Sequence, residues 1–145
     1  KVKELSKDNP VFYVQYAYVR AKSLLDNYLK LDPLGDKMIA TGQFKRDLLN
    51  LEVERDFIKH LVSWTKILEG AAVNLEPHRI TYFLSSCAAQ FHSLWNYTDS
   101  DNVNYRFIIE GQLELTKARV ALAKALMAII EAGFGIIGVK PLEKM

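Results

Sequence analysis

The sequence predicts an all-α helical bundle. Apolar residues recur at helical spacing over several long stretches, and no alternating strand pattern of comparable length occurs. The 145 residues include only 7 Gly and 4 Pro, which are too few breakers for a many-stranded sandwich. A chain of this length usually forms one domain, so residues 1–145 are expected to be a single domain with its own core.

The first helix is expected to run from about residue 10 to about residue 30. Asp8 or Asn9 can cap its start. Pro10 suits the first helical position, because the amide that proline lacks would have no helical partner there. The pair Asp32-Pro33 should end the helix, since the residue before a proline disfavours the helical conformation.

A loop and a longer helix are predicted next. Residues 34–45 contain two glycines among scattered charges and are expected to form a connecting loop. Roughly periodic apolar residues predict a helix over 48–68, which Gly70 is expected to interrupt before 71–75. Three acidic residues are expected to lie on the exposed side of this helix: Glu52, Glu54 and Asp56.

Two more helices complete the predicted bundle. Glu76-Pro77 opens one of them, and its apolar stripe continues to Trp95, before a polar turn region over 96–104. The last helix is expected to start near Gly111 and to stop at Gly133.

A membrane location is not expected. The most apolar run, 121–139, contains Lys124 and Glu131, so we interpret it as a buried helix and not as a membrane span. The first eight residues are charged and do not resemble a secretory signal. The single cysteine, Cys87, excludes an intramolecular disulfide and is typical of a reducing compartment, which favours a cytoplasmic location.

The net charge of +2 does not by itself predict a nucleic-acid partner, but its distribution is uneven. Residues 1–30 sum to +3, residues 31–111 to −3 and residues 112–145 to +2. A polyanion should therefore meet the first and last helices if these lie side by side.

The chain offers no catalytic constellation and no metal site by sequence. Its histidines are too far apart to share a helical face, and no second cysteine joins Cys87, which lies in an apolar stripe where a thiolate is disfavoured. The acidic residues of the second helix are more typical of a solvated face than of an acid–base pair. A binding function is therefore favoured over an enzymatic one, with no cofactor in this segment, and His92 is expected to be structural.

Three glycines near the end, Gly133, Gly135 and Gly138, spell the G-x-G-x-x-G motif of dinucleotide-binding proteins. That motif needs a strand before it and a helix after it, whereas here a helix precedes it and seven residues follow. We prefer a helix C-cap followed by an apolar return.

The first helix combines rings, an amide and cations within about three turns. These residues are Tyr13, Gln15, Tyr16, Arg20 and Lys22. Rings beside cations suit stacked bases and phosphates. The alternative is a core helix with packing tyrosines and solvated charges, and the pattern alone favours that alternative.

Three segments of the chain carry recognisable motifs. They are N-P-V-F-Y-V-Q-Y-A-Y-V-R at 9–20, E-P-H-R at 76–79 with F-H-S-L-W-N at 91–96, and A-R-V-A-L at 118–122 with E-A-G at 131–133 and the ending P-L-E-K-M. In this order they resemble the N-P-x-x-Y-x-Q-Y-A-x-x-R, E-P-H-R, F-H-x-F-Y-N, A-R-L-A-L and P-x-x-x-M motifs of one family. That family is the C-terminal anticodon-binding domain of arginyl-tRNA synthetase, the DALR domain.

The resemblance implies a helical bundle of the class Ia synthetase anticodon-binding type. It implies a parent enzyme that activates arginine with ATP and Mg and transfers it to tRNA(Arg), and that is expected to be monomeric. No His-x-Gly-His occurs at any histidine of this chain, so that chemistry is expected to belong to a catalytic domain of the same polypeptide outside these residues.

By position, the resemblance nominates four residues for the anticodon loop: Tyr13, Tyr16, Trp95 and Met145. Their apolar surfaces suit unstacked bases, while Asn9 and Gln15 are hypothesised to bond base edges. Arg20 and Lys22 are candidate phosphate contacts, although Arg20 can equally pair with a carboxylate of a neighbouring helix. Arg119 is expected to form a structural ion pair or cap.

The chain departs from the family pattern at Trp95, where the family more often has tyrosine, and over 102–109, which looks irregular. A rival interpretation is a helical protein-interaction module with no RNA role, in which the aromatic residues form a groove for a partner.

Overall fold

The computed structural model describes residues 9–145, and the candidate cap Asp8 lies outside them. The helices of this range are α1 (Pro10–Leu31), α2 (Gly35–Ala40), α3 (Glu52–Val62), α4 (Trp64–Asn74), α5 (His78–Trp95) and α6 (Leu113–Ile137), with a 3-10 turn at Arg46–Leu48. No strand forms between residues 9 and 145, where an isolated bridge pairs Thr98 with Asn104. The predicted all-α class is therefore confirmed.

Helix α1 begins and ends as predicted. The Oδ1 atom of Asn9 accepts hydrogen bonds from the backbone amides of Val11 at 3.1 Å and Phe12 at 3.3 Å, and Pro10 occupies the first helical position. Asp32 follows the last helical residue, directly before Pro33. Both ends of α1 are thus set by local chemistry.

Helices α1, α5 and α6 pack against one another at the centre of the bundle, while α3 and α4 pack on α5, and α2 packs on α6 and α1. Large side chains from these faces are fully buried, among them Phe57, Phe91, Phe134, Leu84 and Leu126. Helix α6 is long and apolar enough to cross a membrane by length and composition, yet half of its most apolar window is buried inside the bundle. We interpret it as the core helix.

The prediction of a loop over 34–45 is wrong, because this segment contains α2. Gly35 begins α2 against the buried ring of Tyr28, and a Cβ atom at Gly35 would lie 2.5 Å from that ring. An ion pair between Asp36 and Lys124 joins α2 to α6. The contacts that fix this short helix are therefore made with α1 and α6, which lie elsewhere in the sequence.

The predicted interruption at Gly70 is also wrong, since Gly70 lies within α4. Helices α3 and α4 meet at Ser63, where the helix that was predicted to be continuous is broken. The Ser63 Oγ atom donates a hydrogen bond to the His60 carbonyl oxygen at 2.6 Å. A side-chain bond of this kind competes with regular helix formation and marks the junction.

Helix α6 continues four residues beyond its predicted end at Gly133 and stops before Gly138, which adopts a left-handed φ of 77°. Gly133 is buried against α5, and a Cβ atom there would lie 2.8 Å from the Leu84 Cδ1 atom. The first glycine of the G-x-G-x-x-G run therefore serves close helix packing, and the last one caps the helix.

Gly133→Ala is therefore expected to lower the free energy of unfolding by about 1–3 kcal/mol, because the added methyl group overlaps the fully buried Leu84 side chain, which must shift within the core. Gly135→Ala is the matched control, since nothing lies within 4 Å of its Cβ position. The control should be neutral or stabilising by up to about 1 kcal/mol through helix propensity. Urea unfolding of both variants measures the difference, and equal effects would contradict the close-packing role of Gly133.

The carboxylate of Glu54 is 0% exposed, so its predicted place on the exposed side of the helix is wrong. Its Oε2 atom accepts hydrogen bonds from Arg119 Nε at 2.9 Å and from the Tyr105 hydroxyl at 2.6 Å, and its Oε1 atom accepts one from the Leu51 amide. Arg119 also donates to the Arg106 carbonyl oxygen at 2.8 Å. The predicted structural ion pair of Arg119 is thus confirmed.

Candidate nucleic-acid interface

The polar face of α1 meets the C-terminal half of α5 at a group of five side chains. We call Tyr13, Tyr16, Arg20, His92 and Trp95 the Arg20 cluster. Tyr16 is 41% exposed, while Tyr13 and Trp95 are half-buried and pack against the core. The cluster therefore combines the exposed ring of Tyr16 with the partly buried rings of Tyr13 and Trp95.

Arg20 connects the members of the cluster. Its Nη2 atom donates a hydrogen bond to the Tyr16 hydroxyl at 2.7 Å, and its Nη1 atom lies 3.2 Å from His92 Nδ1. The guanidinium carbon lies 4.9 Å from the centre of the Tyr16 ring and 4.6 Å from that of Trp95. None of the ion pairs between residues 9 and 145 includes Arg20, so its cation is held by rings and neutral acceptors.

The imidazole of His92 packs against both tyrosine rings of the cluster. Its ring lies 5.1 Å from that of Tyr13 and 5.0 Å from that of Tyr16, the second pair being stacked. Burial, and then the charge of Arg20, lower the pKa of His92 to about 4, so the imidazole is neutral at pH 7. Because arginine only donates, Nδ1 must be the acceptor, which assigns the proton to Nε2.

Sequence reasoning gave His92 no part in the site. A signal for it exists in the spacing of His92 and Trp95, three residues apart on one face of α5. That spacing brings the imidazole and the indole to the same side of the helix, where Arg20 contacts both.

Gln15 holds the C-terminal tail, residues 138–145, against α1. The side chain is 7% exposed. Its Nε2 atom donates a hydrogen bond to the Lys140 carbonyl oxygen at 2.9 Å, and its Oε1 atom accepts one from the Leu142 amide at 2.8 Å. Both ends of the amide are thus bonded to tail backbone. Met145, at the end of this tail, is 52% exposed.

The remaining candidate residues lie at the two ends of the face. The Asn9 side chain caps α1, as described above. Lys22 forms a surface ion pair with Asp26 at 3.5 Å. Helices α1 and α6 lie side by side, as the charge argument required, but Lys1, Lys3 and Lys7 of the basic N-terminal segment lie outside the described residues.

The described residues contain no group of three or more His, Cys, Asp or Glu side chains that could hold a metal ion. Cys87 is buried, as predicted, and burial raises the pKa of its thiol to about 12. A thiolate is therefore strongly disfavoured at this position.

Comparison with known proteins agrees with the motifs of the sequence. Residues 14–145 match the family model of the DALR anticodon binding domain. The chain is similar over all 145 residues to proteins named arginine–tRNA ligase: 49% identical in Rickettsia canadensis (strain McKiel), 49% in Rickettsia bellii (strain OSU 85-389) and 48% in Rickettsia rickettsii (strain Sheila Smith).

The chain spans 25% of the length of each of these relatives. No solved structure matches it significantly. The family model covers nearly the whole chain, including most of α1 and all of α5, and Tyr13 is the one member of the Arg20 cluster that lies before the matched range. The chain therefore belongs to the DALR anticodon-binding domain family.

Proposed function

We propose that this chain binds the anticodon loop of tRNA(Arg) as the C-terminal domain of an arginine–tRNA ligase. The observation that carries the proposal is the Arg20 cluster, in which an exposed tyrosine ring is fixed beside a cation in a member of an anticodon-binding family. Exposed rings beside cations are the usual platform for unpaired bases and their phosphates.

Tyr16 presents its ring to a base of the loop. Arg20 bonds its hydroxyl and His92 stacks beneath it, so little side-chain freedom is lost when the base binds. Stacking of this kind contributes about 1–3 kcal/mol per base. The charge of Arg20 lies beside the same ring and favours the adjoining phosphate.

Tyr13 and Trp95 complete the platform, and Met145 closes it from the tail. One side of the indole is already occupied by Arg20, so we expect the edge and the remaining side of Trp95 to meet RNA. Gln15 acts indirectly, because its amide holds the tail on α1. Asn9 contributes by capping α1 and is a candidate contact at the helix start.

The parent protein is proposed to ligate arginine to tRNA(Arg) with ATP and Mg. Relatives of four times this length carry that enzyme name, so we place the reaction in a catalytic domain elsewhere in the same polypeptide. A monomeric enzyme in the cytoplasm is the simplest form consistent with these features.

The test is binding of a stem-loop RNA with an arginine anticodon, compared with the same RNA whose middle anticodon base is replaced. Tyr16→Ala should weaken binding of the arginine loop by about 5- to 150-fold, which corresponds to the loss of one stacked base. Tyr82→Ala is the matched control, because this tyrosine is 70% exposed near the other end of α5.

The salt dependence of binding decides between this proposal and a protein-interaction module. RNA binding should weaken as the salt concentration rises. A plot of log affinity against log salt concentration should fall with a slope of about −0.7 for each phosphate contact, whereas an apolar groove would barely respond to salt. Equal binding of both loops, or equal effects of Tyr16→Ala and Tyr82→Ala, would refute anticodon reading by the Arg20 cluster.

A further inference from the structure

A cavity of about 300 Å³ lies beside Trp95, at the C-terminal end of α5. It is lined by six residues: Trp95, Asn96, Tyr97, Asn104, Tyr105 and Arg106. The lining residues carry two side-chain amides and a guanidinium group, and the surface of the cavity is mostly polar. Its volume is at the lower end of the range of small-ligand pockets. None of these residues except Trp95 belongs to the Arg20 cluster.

The walls are fixed before any ligand binds. The Tyr105 amide donates to the Tyr97 carbonyl oxygen at 2.8 Å, and the Asp99 carboxylate accepts from the backbone amides of Asp101 and Val103. The segment 96–107 is therefore a loop whose conformation is held by its own hydrogen bonds. Preformed walls lower the entropy cost of binding.

Hydrogen bonds also fix the amide side chains of two lining residues. Asn96 Nδ2 donates to the His92 carbonyl oxygen at 3.0 Å, and Asn104 Oδ1 accepts from the Thr98 hydroxyl at 2.9 Å. The backbone of Arg106 is tied to the buried Glu54 network through Arg119, while its side chain is exposed. An exposed cation on an anchored backbone suits a phosphate contact.

We propose that this cavity is a second nucleotide subsite for single-stranded RNA, which takes the nucleotide next to the one stacked on Tyr16. Arg106 contacts its phosphate, and the amides of Asn96 and Asn104 bond the edge of its base. The inference rests on the proposed function, because it places the cavity on the same RNA path. Trp95 joins the two subsites, with Arg20 against its ring and Arg106 beside it in the cavity wall.

The experiment repeats the stem-loop titrations with two variants of the cavity. Arg106→Ala removes the cation, and Asn104→Asp adds a negative charge while keeping an oxygen that can accept from Thr98. Matched controls lie on α4, which packs on α5 and α3: Lys66→Ala removes an exposed cation, and Asn74→Asp adds the same charge at an exposed asparagine.

Arg106→Ala and Asn104→Asp should each weaken binding about tenfold at low salt, whereas the controls should bind as the unchanged protein does. Arg106→Ala should also reduce the salt slope by about 0.7, and the preference for the arginine anticodon should persist. Tyr16→Ala, measured in parallel, should reduce that preference.

Three results would overturn the inference. If Tyr16→Ala reduces the preference while both cavity variants bind normally, the subsite is wrong and the anticodon-reader proposal stands. If the α4 controls weaken binding as much as the cavity variants, the effect is general electrostatics and not a site. If the unchanged protein binds neither RNA, the proposed function and the subsite fall together.

Discussion

Glu54→Gln should lower the free energy of unfolding by about 3–5 kcal/mol, the usual effect of removing one partner from a buried ion pair. The substitution keeps the shape of the side chain but leaves the largely buried Arg119 cation without its carboxylate. Glu52→Gln, an exposed position two residues earlier on the same helix, is the control and should change stability by less than about 0.5 kcal/mol.

Urea unfolding followed by circular dichroism measures both variants. The large effect is expected because one carboxylate joins three parts of the fold: α3, α6 through Arg119, and the loop before α6 through Tyr105. If Glu54→Gln proved as mild as Glu52→Gln, this network would contribute little to stability.

Gln15→Glu should detach the C-terminal tail and weaken anticodon-loop binding by at least about tenfold. The substitution replaces the Nε2 donor with a carboxylate oxygen, which would face the Lys140 carbonyl oxygen in a buried position. Two acceptors at hydrogen-bond distance repel each other, and a buried charge without a partner is costly. Tail and α1 should therefore separate locally.

Carboxypeptidase digestion followed by mass spectrometry reports the release of the tail, and the stem-loop titration reports the loss of binding. Gln112→Glu supplies the control, since this glutamine is exposed at the start of α6. A tail that stays protected in Gln15→Glu, with RNA binding unchanged, would show that the two Gln15 bonds do not hold it.

The sequence predicted the elements that depend on neighbouring residues. The start and end of α1 follow from Asn9-Pro10 and Asp32-Pro33, and α5 begins at Glu76-Pro77, as expected. Apart from the junction at Ser63, which a local hydrogen bond marks, the failures occurred where distant contacts decide the structure. Gly133 is a helix breaker by propensity, yet the close approach of Leu84 gives it a place inside α6.

The burial of Glu54 is the clearest case of this kind. Its partner Arg119 lies 65 residues away, so the local pattern of charges on the helix could not reveal it. Within the site, Tyr16 and Arg20 are one helical turn apart, and their contact could be anticipated from spacing alone. Trp95 entered through family resemblance, and the support from His92 required the packing of α5 on α1 to be known.

The burial of Cys87 has a practical consequence for measuring these effects. Its thiol is the only one in the sequence, it is inaccessible in the folded protein, and its pKa is raised to about 12. Alkylating reagents should therefore modify it only when the bundle opens, so the labelling rate reports the free energy of opening. The same inertness permits a fluorophore to be attached at a cysteine introduced on the surface, with Cys87 left in place.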